Sequence, residues 1–164
     1  MRSLSSVELN YFELKRFLDA LEKKYHQESY LFSDPVEFLY RFSDPLDQEG
    51  VALLSALVAY GNVKQIKKSI ENALGRIHQA HASPKTWILD TSRQEKERAL
   101  KGWVHRFNTG TDLALLFELI KISWREYGSV GAHFLRFLKK EDETIGPALN
   151  QFIEEWKKRG AHFE

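Results

Sequence analysis

Apolar side chains recur at helical spacing along most of this chain. In residues 6–24, Leu9, Phe12, Phe17, Leu18 and Leu21 fall on one side, while Glu13, Lys15, Arg16, Glu22 and Lys23 fall on the other. That pattern predicts a surface helix with one buried face. The polar residues 26–29 end it. Further on, Val63, Ile66, Ile70, Leu74 and Ile77 form a stripe on a helix over residues 63–79. Leu113, Leu116, Phe117, Ile120, Trp124 and Tyr127 form another, widened by Leu115, Leu119 and Ile122 into a face that implies deep burial. Val130, Phe134, Phe137 and Leu138 mark a helix after Gly128-Ser129, and Leu149, Phe152, Ile153 and Trp156 mark a last one from about Thr144, with Gly146-Pro147 in its first turn.

Between the first two stripes the phrase Phe-Ser-Asp-Pro occurs twice, at residues 32–35 and 42–45. Each copy reads as a helix start. Asp34 and Asp44 are acceptors for first-turn N–H groups, and Pro35 and Pro45 suit a position where no N–H is needed. Glu37 stands where a capping box wants a carboxylate, and Asp47 and Glu49 favour the positive end of the helix dipole. The second copy opens an apolar run over residues 51–59, interrupted only by Ser55. Ala52, Ala56 and Ala59 favour a helix over a strand, so residues 47–60 are predicted to be the buried central helix. Tyr60-Gly61-Asn62 ends it, Gly61 being suited to the left-handed conformation.

His81 to Pro84 reads as a loop, Pro84 opens a short helix with Trp87, Ile88 and Leu89, and residues 93–101 read as a solvated helix because they are so highly charged. Residues 102–110 are the least regular, and Thr111 or Asp112 is expected to cap the helix that follows. No segment alternates over strand length. The fold class expected is therefore all-α, an orthogonal multi-helix bundle in which residues 1–164 form one domain.

Composition narrows the functional classes. With 24 basic and 23 acidic residues the formal charge is +1, which lacks the basic excess of a dedicated nucleic-acid-binding module. Any such role would rest on a local patch. The chain has no cysteine, which excludes disulfides, a thiolate nucleophile and Cys-type zinc sites and fits a reducing, cytoplasmic location. Neither a signal-peptide core nor a membrane-spanning stretch is visible, so no membrane partner is expected.

Candidate chemistry sits in a few places. Lys64, Lys67 and Lys68 crowd the first turns of their helix beside Gly61-Asn62, where exposed N–H groups suit a phosphate; the alternative, a solvated face with Lys67 paired to Glu71, is preferred. His105, Arg106, Phe107 and Asn108, beside Lys101 and Trp103, either line a groove with Arg on phosphate and an aromatic on a base, or anchor a loop to the core with Arg106 paired to an acid. Arg41 is expected to pair with Asp44 or Asp47. His78-x-x-His81 has helical metal spacing but lacks a third ligand, so neither a metal nor a cofactor is expected. Ser55 lacks a nucleophile elbow and reads as a packing residue. The turn at residues 127–132 is similar to a helix-hairpin-helix turn with one residue too many between its glycines, and an ordinary interhelical turn is preferred.

Two blocks carry a resemblance. The first is Phe42-Ser43-Asp44-Pro45-x-Asp47-x-Glu49, then Leu53-Leu54-x-Ala56-Leu57-x-Ala59-Tyr60-Gly61-Asn62 and Lys64-Gln65-Ile66; the second is His105-Arg106-Phe107-Asn108-Thr109-Gly110-x-Asp112-Leu113. Together they resemble the signature of an uncharacterised bacterial domain-of-unknown-function family, over about residues 9–138. Longer members resemble the helix-hairpin-helix DNA base-excision glycosylases. The resemblance implies an N-terminal helical layer in which Tyr60, Gly61, Asn62, Lys64 and Gln65 lie near a DNA-facing turn; the nucleic-acid reading of the residues adds Lys67, Lys68, His105, Arg106, Phe107 and Asn108 as candidate contacts. It also implies catalysis by a Lys or an activated water with an Asp that follows a hairpin. This sequence lacks that hairpin and distal Asp, so no residue is assigned as catalytic. The chain is expected to be the N-terminal part of a longer architecture, with DNA as a partner. The alternative is an interaction protein whose exposed apolar face meets a C-terminal partner chain or a second copy.

Overall fold

Helix starts and apolar stripes together generate nine α-helices and one 3-10 helix among residues 10–80 and 83–161, the part of the chain that the computed structural model describes. In order they are α1 (Tyr11–Tyr25), α2 (Glu28–Leu31), the 3-10 helix (Pro35–Arg41), α3 (Pro45–Leu57), α4 (Val63–Ala80), α5 (Pro84–Asp90) and α6 (Arg93–Ala99). An antiparallel hairpin of β1 (Val104–His105) and β2 (Asn108–Thr109) follows, then α7 (Gly110–Tyr127), α8 (Val130–Leu135) and α9 (Gly146–Ala161). The fold is all-α. The small hairpin occupies the stretch that the sequence marks as irregular. No described helix is long and apolar enough to cross a membrane.

The core is shared by α3, α4, α5 and α7. Val51 and Leu54 of α3 are buried together with Ile66, Ile70 and Ile77 of α4, Trp87 and Ile88 of α5, and Phe117 and Ile120 of α7. The Trp87 and Phe117 rings meet edge to face at 5.3 Å, a favoured aromatic geometry. Gly110 lets α7 start against α6: a Cβ there would overlap the Leu100 carbonyl oxygen. Thr109 caps α7, two residues before Thr111 and three before Asp112, the expected caps, and Asp112 completes the capping box.

The acidic residues at the start of α3 do more than cap their own helix. Asp44 accepts from the N–H groups of Leu46 at 2.8 Å and Asp47 at 3.4 Å, as expected. The Lys85 ammonium, 2.8 Å away, holds the Asp44 carboxyl below its ordinary value. Asp47, however, accepts from the Lys85 N–H at 2.6 Å in the first turn of α5. Glu49 accepts from the N–H groups of Val130 and Gly131, each at 2.9 Å, and from the Trp124 indole at 2.6 Å. Three carboxylates of one motif thus satisfy the orphan donors of three helices. The far end of α5 is met by cations: Lys96 donates to the Ile88 and Thr91 carbonyls, Lys121 to Thr91 and Arg125 to Leu89.

Two expectations need correction. Residues 93–101 do not form a purely solvated helix, because Lys96 is fully buried and ion-paired to Glu118. Burial brings its ammonium down to about 8, while its three protein acceptors keep the charge partnered. And α1 has no buried face: none of its residues is buried, and Tyr11, Phe12, Phe17, Leu18 and Tyr25 are exposed. Its periodicity is real, but among the described residues only Leu14 and Leu21 of the helix are half-buried, and Tyr25 meets the Tyr30 ring of α2 at 5.2 Å.

Candidate nucleic-acid interface

The two sequence blocks, some forty residues apart, meet at the start of α4. Tyr60 donates from its hydroxyl to the His105 carbonyl, and His105 Nε2 lies 3.3 Å from the Tyr60 carbonyl. Because that carbonyl only accepts, Nε2 carries the proton and Nδ1 accepts from the Ser69 hydroxyl at 3.0 Å. The Trp103 indole donates to the Ser69 carbonyl at 2.9 Å. His105 and Trp103 are buried, so the base of the hairpin is fixed to α4 and to the turn after α3.

On that base the hairpin tip stands out. Arg106 takes a left-handed backbone with φ 53°, and Phe107 is 84% exposed. The Arg106 guanidinium lies 5.9 Å from the Tyr60 ring and 5.9 Å from the Phe107 ring. Among the described residues it has no carboxylate within ion-pair distance. Gly61, at φ 104°, lies directly beneath it, and a Cβ there would come within 2.8 Å of the guanidinium. Asn62 starts α4 by accepting from the Lys64 N–H at 3.0 Å. Of the anchoring reading of residues 105–108, Trp103 and His105 do hold the loop, whereas Arg106 and Phe107 are exposed and Arg106 is not paired to an acid among the described residues. Asn108 sits opposite His105 in the ladder.

The basic cluster divides. Lys64 and Gln65 are exposed at the α4 start beside the turn. Lys67 is turned away and tied down, with Nζ 2.8 Å from the Phe32 carbonyl and 2.9 Å from Glu37. Glu37 therefore braces α4 against the 3-10 helix rather than completing a capping box, while Asp34 does cap that helix through Val36. Lys68 lines the same groove as Lys67, Arg41 and Glu71. Arg41 pairs with Glu71 at 2.8 Å, not with Asp44 or Asp47, because it lies over the Phe38 ring on the α4 side.

A family model for a protein of unknown function (DUF2400) matches residues 34–163. The chain belongs to that family. Neither a curated protein nor a solved structure matches it. The DUF2400 match holds the three capping carboxylates, the Tyr60 turn and the hairpin, whereas α1 and α2 precede it.

Other motifs in the DUF2400 region are absorbed by structure. In the turn at residues 127–132 Gly128 is the left-handed C-cap of α7, and the N–H groups of Val130 and Gly131 are already taken by Glu49. The anion there is the protein's own. Ser55 is buried and its hydroxyl has no partner, in keeping with a packing role. His78 is exposed at the end of α4, His81 lies outside the described residues, and among the described residues no three metal-ligating side chains converge. A buried polar chain escaped sequence reasoning altogether. His133 Nδ1 lies 3.0 Å from Ser123 Oγ and Nε2 lies 3.1 Å from Glu155, with Tyr127 stacked on the imidazole at 4.0 Å. Ser123 also accepts from the Trp156 indole and is fully buried, so its hydroxyl is a joint between α7, α8 and α9, not a nucleophile. No sequence signal joins residues on three separate helices.

Proposed function

We propose that this DUF2400 protein is a helical domain related to the helix-hairpin-helix DNA glycosylases that contacts nucleic acid through the turn after α3 and the β1–β2 hairpin. It does not carry base-removal chemistry of its own. The observation behind this reading is the hairpin tip: an aromatic ring 84% exposed beside a guanidinium without a carboxylate partner among the described residues, on a base braced by reciprocal Tyr60–His105 contacts. Burying Trp103 and His105 holds these groups in place, and a flat ring with an adjacent cation suits a base and its phosphate. Lys64 at the α4 start adds a second phosphate contact. A lysine nucleophile is not supported, since Lys96, the lysine whose ammonium is brought down, is sealed in the core on Glu118.

Few cations surround the tip, so binding is expected to be weak and salt-sensitive, with a shallow salt slope. Fluorescence anisotropy with labelled single-stranded and duplex DNA at low salt tests it. Arg106→Ala combined with Phe107→Ala and Lys64→Ala is expected to abolish binding, while Lys68→Ala leaves it unchanged. Absence of binding at low salt, or an unaltered triple variant, overturns the reading.

A second reading, association through an exposed apolar face, is favoured by α1, which exposes Tyr11, Phe12, Phe17, Leu18 and Tyr25 to solvent.

A further inference from the structure

We propose that α1 is the contact through which two copies of this chain associate, each α1 lying antiparallel against the other. This rests on the second reading above and names its occupant. Tyr11, Leu14, Leu18, Leu21 and Tyr25 are spaced alternately three and four residues apart, the seam of a two-helix coil. None of them is buried within the chain. The helix is nevertheless well formed: Asn10 accepts from the Phe12 N–H at 3.1 Å and the His26 N–H closes on the Glu22 carbonyl at 2.7 Å. A helix of 15 residues is marginal in water without a packed face. Among the described residues the seam is met only at its end, where the Tyr25 ring lies 5.2 Å from Tyr30, which leaves the rest open to a partner.

Charge selects a second copy and its direction. Lys15 and Glu22 both border the seam on one side, and Phe17 and Lys24 border it on the other. An antiparallel pair sets Lys15 of each copy against Glu22 of the other, forming two opposite-charge contacts about a two-fold axis. A parallel pair would set Phe17 against Glu22 and gain neither. Tyr11, Phe17, Leu18 and Tyr25 are between half and about seven-tenths exposed. At roughly 150–250 Å² for a whole aromatic side chain, the two helices together cover on the order of 1,000 Å², the lower bound of a specific interface. The dimer is accordingly expected to be of micromolar strength.

Sedimentation velocity over about 1–200 µM is the test, since micromolar association lies within that span. The weight-average mass should rise from 19.2 kDa toward twice that value. Lys15→Glu and Glu22→Lys should each weaken self-association by about tenfold. An equimolar mixture of the two variants should regain it, because every facing pair is then opposite in charge. Since Lys15 and Glu22 are exposed, circular dichroism should show both variants folded. A monomer across the whole range, or a mixture no stronger than its components, overturns the proposal. In the monomer case hydrogen exchange separates the two failures: rapid exchange in α1 leaves the face open to a different partner, while strong protection removes the association reading as well.

Discussion

Helices α3 and α1 have the same kind of sequence and opposite surroundings. Both place leucines at helical spacing on one side, and both start from an Asn or Asp cap. In α3 the leucine face enters the core and the polar face is consumed as well, because Asp44, Asp47 and Glu49 each reach a helix start. In α1 the charged side chains meet solvent or each other, as in the Lys15–Asp19 pair, and among the described residues the apolar side is at most half-covered, at Leu14 and Leu21. Periodicity specifies that a helix has a face. What fills the space opposite that face depends on elements elsewhere in the chain or outside it.

The contrast can be broken most forcefully at Glu49. Replacing it with Ala strips the α8 start and the Trp124 indole of their acceptor, leaving partly buried donors unpaired; a loss of about 3–4 kcal/mol is expected in urea denaturation. An effect below 1 kcal/mol would mean that water replaces the carboxylate and that the α3 motif is not a hub. Leu54→Ala, at a fully buried site, should cost about 3 kcal/mol through lost transfer and a residual cavity.

A pH titration addresses the other buried polar joint. Burial lowers the His133 pKa below its ordinary value of 6.5. The unfolded chain then takes up a proton at a higher pH than the folded one, so this contribution to stability is complete above about 6.5 and is lost as pH falls below that value. His133→Gln should flatten that acid-side slope. A variant that keeps the wild-type slope would assign it to other groups.

Smaller effects sharpen the division within the lysine cluster. Lys67→Ala should cost about 1 kcal/mol, since it frees the largely buried Glu37 side chain; Lys68→Ala should stay within about 0.5 kcal/mol. Equal losses would undo the distinction between a tied and a free lysine. The smallest change is expected on α1. Leu18→Ala, measured in dilute solution where copies do not meet, should shift stability by less than about 0.5 kcal/mol, and a loss near that of Leu54→Ala would show the face to be covered within the chain.

Local chemistry made much of this architecture legible. The Asp-Pro starts, the α3 and α7 stripes and the Gly128 stop depend on neighbours in sequence, and they stand where the residues indicate. The reach of Asp47 and Glu49 was hidden because a carboxylate in a first turn looks complete in its own helix. Lys96 was hidden for a related reason: charge density predicts solvent exposure, and only the packing of α5, α6 and α7 supplies the acceptors that allow its burial. At the candidate interface, the residue types at 60–65 and 105–108 could be read, but their meeting could not. Single-sequence spacing carries no information on which loop Tyr60 will face.

Two carboxylates of α3, Asp47 and Glu49, also set how the molecule comes apart. Asp47 reaches a partner 38 positions away, and Glu49 reaches partners 81 and 82 positions away. None of these caps can form while its target helix is still undocked, and none can be kept after that helix leaves. Loop closure over such distances is repaid only when the assembly is nearly finished. Unfolding from α3 through α8 should therefore proceed as one cooperative step, with α1 free to fray well before it.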